Sequence, residues 1–361
     1  MTFAIAAAGT GGHVFPGLAV GEALLARGVN PGDVIYIGGS RLESSVYPEA
    51  GFPFFELELR GLRRSISLSN LAIPRVVMAA RRRILEMMGS RGTRAALGLG
   101  GYVTVPMAMA AAKAGVPYAV AEQNAEAGLA NRFAAGRASK VFGSFPETAR
   151  LPKAEWVGNP LRRPFAEFDR GRLRPQALDR YRLEPRLPVL GVFGGSLGAS
   201  VINEAVATML DGWTHRETQV VQIAGREGAA EMAARSATSP LRWTVLDFED
   251  RMDLFFAAAD LVVARSGGSV AEITATATPA ILVPGHFGSG SHQEANARAL
   301  EQAGAAVVVT EDELVDLGMS VASILADEER RTAMSRAAGG WAKPHAADSV
   351  VDALMAMAGL S

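Results

Sequence analysis

The sequence predicts a doubly wound parallel α/β protein in two halves, and three observations carry that expectation. Strand and helix patterns alternate along the whole chain, the order of βαβ units whose helices cover both faces of a parallel sheet. A strand, a glycine-rich turn and a helix follow one another three times, starting near residues 2, 189 and 261. The length, 361 residues, exceeds the roughly 250–300 residues at which single cores stop growing, so two domains of ordinary size fit it.

Composition narrows the class. Hydrophobic residues make up 49% of the chain, enough for buried parallel strands, and the net charge of −1 gives no global field for nucleic acid. The sequence has no cysteine, which excludes disulfides and thiolate chemistry and fits a reducing compartment. The first residues read directly as a strand with no basic leader, so no signal peptide is expected. The longest apolar stretch, residues 103–121, contains Pro106, Lys113, Gly115 and Pro117. That pattern suits a helix, turn and strand better than a bilayer span, and a soluble protein is expected.

The first unit organises the chain. Residues 2–8 form an apolar strand, Gly9-Thr10-Gly11-Gly12-His13 a turn, and residues 14–27 an amphipathic helix that stops at Gly28. Pro16 suits a first helical turn. Unpaired N–H groups and the helix dipole act at such a terminus like roughly half a positive charge, so the turn is a candidate phosphate site. It departs from the dinucleotide fingerprint: Val14 stands where the third glycine belongs, and the next strand, residues 34–37, ends in Gly38-Gly39 and not in a ribose-binding acid. A nicotinamide or flavin reading is thereby weakened. The bland alternative is a tight turn with no ligand.

Residues 95–99 and 118–121 read as further buried strands. Between the second strand and these, nine arginines from Arg60 to Arg94 face a single acid, Glu86, with aliphatic residues and methionines interleaved. Such a run is either a solvated helix face or a surface for an anionic membrane. Gly98 to Pro106 and Glu122-Gln123-Asn124 follow strand patterns, where the carboxyl ends of parallel strands line the ligand crevice. Each polar residue there could equally cap a helix.

Two prolines in Gly158-Asn159-Pro160-Leu161-Arg162-Arg163-Pro164 interrupt the alternation, and the domain boundary is expected there. The opening theme then returns as strand 189–193, turn Gly194-Gly195-Ser196-Leu197-Gly198 and helix 199–210. The third unit is strand 261–264, Arg265-Ser266-Gly267-Gly268, and a helix opened by Ser269, whose spacing to Glu272 is that of a capping box. A glycine- and serine-rich loop, residues 285–291, leads to His292-Gln293-Glu294-Ala295-Asn296. Residues 341–360 read as one helix that crosses back to pack on the first half.

Together, Gly9-Thr10-Gly11-Gly12-His13-Val14-Phe15-Pro16, Gly100-Gly101-Tyr102-Val103, Glu122-Gln123-Asn124, Gly158-Asn159-Pro160-Leu161-Arg162, Gly194-Gly195-Ser196-Leu197-Gly198-Ala199, Arg265-Ser266-Gly267 and His292-Gln293-Glu294-Ala295-Asn296-Ala297 resemble the MurG family closely. These matches come in the family's order and span residues 9 to about 300. The resemblance implies a GT-B fold, two Rossmann-like domains facing a cleft with a C-terminal helix returning to the first. Residues 1–162 with 341–361 would be the acceptor-side, membrane-associated half, and residues 163–340 the UDP-GlcNAc-binding half. The implied reaction is inverting transfer of GlcNAc from UDP-GlcNAc to the C4 hydroxyl of lipid-linked MurNAc-pentapeptide in peptidoglycan synthesis. It needs neither metal nor cofactor, and no D-x-D pair stands at a strand end to hold a divalent ion.

By the same resemblance, Thr10, Gly11, Gly12, Asn124, Arg162, Ser196, Glu272 and Gln293 would contact the donor. Glu272 would take the ribose hydroxyls, Ser196 the diphosphate and Gln293 the sugar. His13 would be the base, with Glu122 the next candidate and Tyr102 on the acceptor side. The implied location is peripheral, on the cytoplasmic face of the bacterial plasma membrane, with an anionic lipid surface and cell-wall synthesis proteins as partners and no nucleic acid. Two departures stand out: Ala121 replaces the histidine usual before Glu-Gln-Asn, and the segment 265–272 is one residue short. One residue is about 100° of helix rotation, which the turn at Gly267-Gly268 is expected to absorb. The alternatives are another GT-B transferase with a different acceptor, a sugar-nucleotide epimerase, or a non-catalytic sugar-nucleotide-binding protein. The arginine run and His13 argue for the membrane-linked enzyme.

Overall fold

The computed structural model describes residues 1–57, 73–151, 153–195, 198–215, 217–285 and 292–360. It divides into two compact units, Met1–Arg163 with Pro344–Ser361, and Pro164–Lys343.

In the first unit the apolar runs become parallel strands: β1 Thr2–Ala6, β2 Val34–Gly38, β3 Phe54–Glu56, β4 Thr93–Gly98, β5 Tyr118–Glu122, β6 Lys140–Gly143 and β7 Glu155–Trp156. Their order is β3-β2-β1-β4-β5-β6-β7. Every residue of β1, β2 and β5 is buried, as expected of strands covered on both faces. On one face Val14, Leu18 and Leu24 of helix Gly11–Ala26 pack with Tyr47, Phe52 and the last helix. On the other, Ile84 and Met88 of helix Ile73–Arg91 pack with Met107 of helix Thr104–Ala114 and with Ala134 of helix Leu129–Ala135.

The last helix, Ala346–Met357, lays Val350, Val351 and Leu354 on the first face. Arg27 pairs with Asp348 and Asp352 on it. This helix begins five residues later than the sequence pattern suggests. Trp341 closes the preceding helix, Glu328–Gly340, and Pro344, which lacks an N–H and restricts its neighbour, separates the two.

The second unit repeats the plan with β8 Val189–Phe193, β9 Gln219–Ile223, β10 Arg242–Leu246, β11 Leu261–Ala264, β12 Ala280–Leu282 and β13 Ala306–Val308, ordered β10-β9-β8-β11-β12-β13 and parallel throughout. The arginine-rich stretch after the boundary is part of this unit. Arg170 and Arg174 of helix Arg170–Tyr181 donate to the carbonyls of Ala257, Ala258 and Ala259, satisfying the free carboxyl end of helix Met252–Ala258. Burial pulls the Arg170 guanidinium down to about 10, which leaves it charged at neutral pH. Among the described residues, no helix is long and apolar enough to cross a membrane.

Candidate active site

In the first unit the sequence-predicted residues stand at the carboxyl ends of β1, β4 and β5 or in the loops that leave them. Gly9 has φ +111° and Thr10 is the N-cap of helix Gly11–Ala26, its carbonyl accepting from the N–H groups of His13 and Val14. Thr10 makes no side-chain cap and the first turn holds no acid, so helix geometry leaves the N–H groups of Gly11 and Gly12 for a ligand.

His13 lies against the turn after β4. Gly100 has φ +98°, and a Cβ there would stand 2.8 Å from His13 Nε2 and 3.4 Å from Asn131 Nδ2. The next residue, Gly101, also has positive φ, and a Cβ on it would fall 2.5 Å from the Ala8 carbonyl oxygen. Two glycines are therefore required for this loop to reach the imidazole. Thr104 locks it, its hydroxyl donating to the Gly100 carbonyl at 2.8 Å and accepting from the Gly100 N–H at 3.0 Å.

Glu122 ends β5 and is buried. Its Oε1 accepts from the Asn124 N–H and from Asn124 Nδ2 at 3.0 and 2.9 Å, and its Oε2 accepts from the Gly128 N–H and from Asn131 Nδ2 at 3.1 and 2.8 Å. All four bonds organise the loop after β5. Asn124, expected toward the donor, thus folds onto Glu122. Tyr102 is half-buried, and its hydroxyl donates to Glu43 Oε1 at 3.2 Å. Burial first, and then the Glu43 charge, push its phenol up to about 12, so it is protonated at any physiological pH.

Arg162 does not join this group. It pairs with Glu22 at 3.2 Å, eleven residues and so about 16 Å along the helix from Gly11. Ser196 lies outside the described residues, as do Arg60, Arg63 and Arg64.

In the second unit the turn after β11 is tied to helix His292–Gln302. Ser266, fully buried, donates to the Gln293 carbonyl at 2.7 Å, and Asn296 Nδ2 donates to the Ser266 carbonyl at 2.9 Å. Gln293 Oε1 accepts from the Gly285 N–H at 2.9 Å. Arg265 donates to the Val283 carbonyl and pairs with Glu311 at 2.7 Å. The expected capping box is absent. Ser269 has φ −62° and ψ −13°, already helical, so its side chain cannot reach forward over the first turn and instead donates to the Arg265 carbonyl at 3.4 Å. Glu272 is half-buried with no hydrogen-bond donor on its carboxylate among the described residues, and burial pushes it up to about 7. A carboxylate so placed has a strong tendency to take hydroxyl donors from a ligand.

The second unit's own glycine turn leaves no room for a side chain at its first residue. A Cβ on Gly194 would fall 2.2 Å from the Ala199 backbone nitrogen. Behind the turn, a buried chain of hydrogen bonds runs from Trp243 Nε1 to Gln222, from Gln222 to Asn203, and from Asn203 to the Ala224 carbonyl. It fixes helix Ser200–Asp211, which the turn opens. Farther on, Glu249 meets Arg180 and the Tyr181 hydroxyl, each at 2.7 Å. Burial would raise its carboxyl, but the bonds from Arg180 and Tyr181 outweigh it and hold the group at about 2. Among the described residues no group of three or more His, Cys, Asp and Glu side chains is placed to hold a metal ion.

Glu43 and Asn131 had no place in the sequence motifs, and Ser266 and Asn296 stood in theirs with no role given. The signal available was polarity inside otherwise buried runs, with nothing local to say which loop each would meet.

Family models place residues 3–143 in the glycosyltransferase family 28 N-terminal domain and residues 189–351 in its C-terminal domain. A relative from Listeria welshimeri, named UDP-N-acetylglucosamine--N-acetylmuramyl-(pentapeptide) pyrophosphoryl-undecaprenol N-acetylglucosamine transferase, is 36% identical over 98% of this chain and 99% of its own. One of the same name from Acidithiobacillus ferrooxidans is 39% identical over 98% and 97%. Among solved structures, Acinetobacter baumannii MurG matches with TM-score 0.78 and 26% identity, covering 98% of this chain and 99% of that one. The S. aureus MnaA–UDP structure, at TM-score 0.69 and 13% identity over 100% and 98%, shares the fold alone. With both domain models in order and curated relatives matched from end to end, the chain belongs to the MurG family of glycosyltransferases and has the GT-B fold.

Proposed function

We propose that this chain is the N-acetylglucosaminyltransferase that moves GlcNAc from UDP-GlcNAc to the C4 hydroxyl of undecaprenyl-pyrophosphoryl-MurNAc-pentapeptide. The observation that carries the reading is the end-to-end match, at 36–39% identity, to relatives named for that transfer. In the reaction the acceptor C4 oxygen attacks C1 of GlcNAc, the bond from C1 to the phosphate oxygen breaks, and UDP leaves with the electron pair. His13 takes the hydroxyl proton as the new bond forms. Attack opposite the leaving group inverts the anomeric centre.

Each half has a part in this reading. In the second unit the turn at residues 194–198, with Ser196, opposes the charge that develops on UDP, as the free N–H groups of a helix start do. Glu272 accepts the ribose hydroxyls, and the amide nitrogen of Gln293 faces the sugar. In the first unit Thr10, Gly11 and Gly12 meet the sugar-phosphate side and Tyr102 the acceptor, while Glu122 and Asn124 hold the loop that frames His13. Arg162 contributes to the donor from the domain boundary.

The lipid-linked acceptor calls for a membrane surface. Helix Leu129–Ala135 exposes Leu129 (79%) and Phe133 (61%), and helix Ile73–Arg91, on the same face of the sheet, exposes Met78, Arg75, Arg82 and Arg91. Apolar tips among arginines suit an anionic bilayer surface on the cytoplasmic side, where cell-wall synthesis proteins would meet the enzyme. The test of the whole reading is incorporation of label from UDP-GlcNAc into a lipid-linked muramyl acceptor in detergent or vesicles. Label in the lipid product supports it, and an intact donor overturns it.

A further inference from the structure

Glu43 is fully buried, opens helix Glu43–Glu49, and has no cationic partner among the described ion pairs. Its carboxylate is satisfied by three donors from three different loops. The Gly9 N–H reaches Oε2 at 3.1 Å, the Gly39 N–H reaches Oε1 at 3.0 Å, and the Tyr102 hydroxyl reaches Oε1 at 3.2 Å. These loops leave β1, β2 and β4, so one side chain ties together the edge on which the first-unit site is built.

The fit is close. A Cβ on Gly38 would stand 2.6 Å from Glu43 Cγ, and one on Gly39 would stand 2.0 Å from the Tyr102 hydroxyl oxygen and 3.4 Å from Glu43 Oε1. The Gly38-Gly39 pair that ended the acid-free β2 strand is there to admit this carboxylate and phenol. It replaces the ribose-binding acid of a dinucleotide site with an acid that faces the protein itself.

Two chemical consequences follow. The Gly9 N–H is spent on Glu43, so the donors that the first turn offers a ligand are those of Gly11 and Gly12. The phenol has one hydrogen and it is spent as well, which leaves only lone pairs on the Tyr102 oxygen. A phosphate or carbonyl oxygen placed against that oxygen would meet lone pairs on both sides and a buried negative charge behind them. A hydroxyl or amide N–H would meet an acceptor.

We propose that Glu43 is a positioning residue, which anchors the first glycine turn to Tyr102 and fixes the Tyr102 oxygen as a hydrogen-bond acceptor for a hydroxyl or amide N–H of the acceptor substrate. This rests on the reading that the first unit binds the acceptor.

The test compares the parent with Glu43→Gln, Tyr102→Phe and the double variant. Four quantities are measured: kcat, KM for a lipid-linked muramyl acceptor, the UDP-GlcNAc dissociation constant, and the melting temperature. A glutamine that keeps its oxygen for the Gly39 N–H and the Tyr102 hydroxyl aims its NH2 at the Gly9 N–H, and flipped it aims the NH2 at the other two donors, so the link between the first glycine turn and Tyr102 is broken either way. Each single variant is expected to lower kcat/KM for the acceptor by about ten- to a hundredfold, with a clearly smaller loss of UDP-GlcNAc affinity. The double variant is expected to be no worse than the worse single one, because both break the same link between the first glycine turn and Tyr102. Multiplying effects, or acceptor kinetics left at the parent level, would overturn the proposal. If Glu43→Gln does not fold, Tyr102→Phe decides alone, since it keeps the carboxylate and two of its donors; unchanged acceptor KM and kcat would then overturn it. A parent enzyme that transfers nothing to the lipid-linked acceptor would count against the functional reading, whereas a working parent with indifferent variants counts against Glu43.

Discussion

The Asn131 side-chain amide donates to Glu122 Oε2 at 2.8 Å, and this bond separates the two candidate bases. With three further donors on the same carboxylate, Glu122 could take a substrate proton only by giving up bonds that hold residues 124–131 in place. The His13 Nε2 stands at the turn of Gly100, 2.8 Å from where a Cβ on that residue would lie.

His13→Ala is therefore expected to lower kcat by about 10²–10⁴-fold, the usual contribution of a general base, with UDP-GlcNAc affinity within about twofold of the parent. Glu122→Gln sets an NH2 against N–H donors and is expected to cost about 1–3 kcal/mol of stability in thermal melts. Equal losses of kcat in both, with normal melting of Glu122→Gln, would return the base to Glu122.

Gly100→Ala probes the same relationship from the other side. A side chain at φ +98° is strained, and its Cβ would stand 2.8 Å from His13 Nε2. The expected outcome is a loss of at least about 1 kcal/mol of stability together with a fall in kcat, at unchanged UDP-GlcNAc affinity. A variant with parental kcat would show that the imidazole need not sit where this structure has it.

The direction of the Glu272 shift gives a pH dependence. Its carboxyl, lifted by burial to about 7, is protonated in the ligand-free protein at mildly acid pH. Because the folded value is raised, its contribution to stability is complete below the unfolded value, and is lost as pH rises through about 7. Ribose hydroxyls are donors that favour the ionised form, so UDP-GlcNAc affinity is expected to rise between about pH 6 and pH 8 in calorimetric titrations. Glu272→Gln should bind more weakly and without that slope; a parent enzyme with no slope would contradict the assignment.

The fold was legible because fully covered parallel strands read as unbroken apolar runs, as in Thr2–Ala6 and Val189–Phe193, each followed by a glycine turn and a helix. The site was legible where a motif carries its own geometry, as at Gly100-Gly101. Glu43 and Asn131 were not, since what each meets is set by which strands become neighbours, and spacing along the chain does not encode that. Ser269 and Glu272 misled for the opposite reason. Their spacing is that of a capping box, but the turn at residues 266–269 spends Ser269 as a helical residue and leaves the first turn uncapped by it.

The arginine run divides once its neighbours are known. Arg83 stacks on Phe55 with 5.4 Å to the ring centroid and donates to the Glu56 carbonyl, so its role is in packing, while Arg82 pairs with Glu86 at the surface. Changing Arg75, Arg82 and Arg91 to Gln is expected to weaken binding to anionic vesicles by about 1 kcal/mol per residue at low salt, with UDP-GlcNAc affinity unchanged. Leu129→Ser with Phe133→Ser should weaken it further and independently of salt. Vesicle binding that neither set alters would leave these residues as an ordinary solvated face.

The configuration of the product decides whether the enzyme makes a single inverting transfer of GlcNAc to a lipid-linked muramyl acceptor. The enzyme is incubated with UDP-GlcNAc and the lipid-linked acceptor in excess EDTA, and the disaccharide is released and examined by proton NMR. The expected result is a β-linked GlcNAc on C4 of the muramyl residue, formed at a rate that EDTA does not reduce. An α-linked product, a 2-epimerised sugar nucleotide in place of a disaccharide, or a strict requirement for a divalent cation would contradict it.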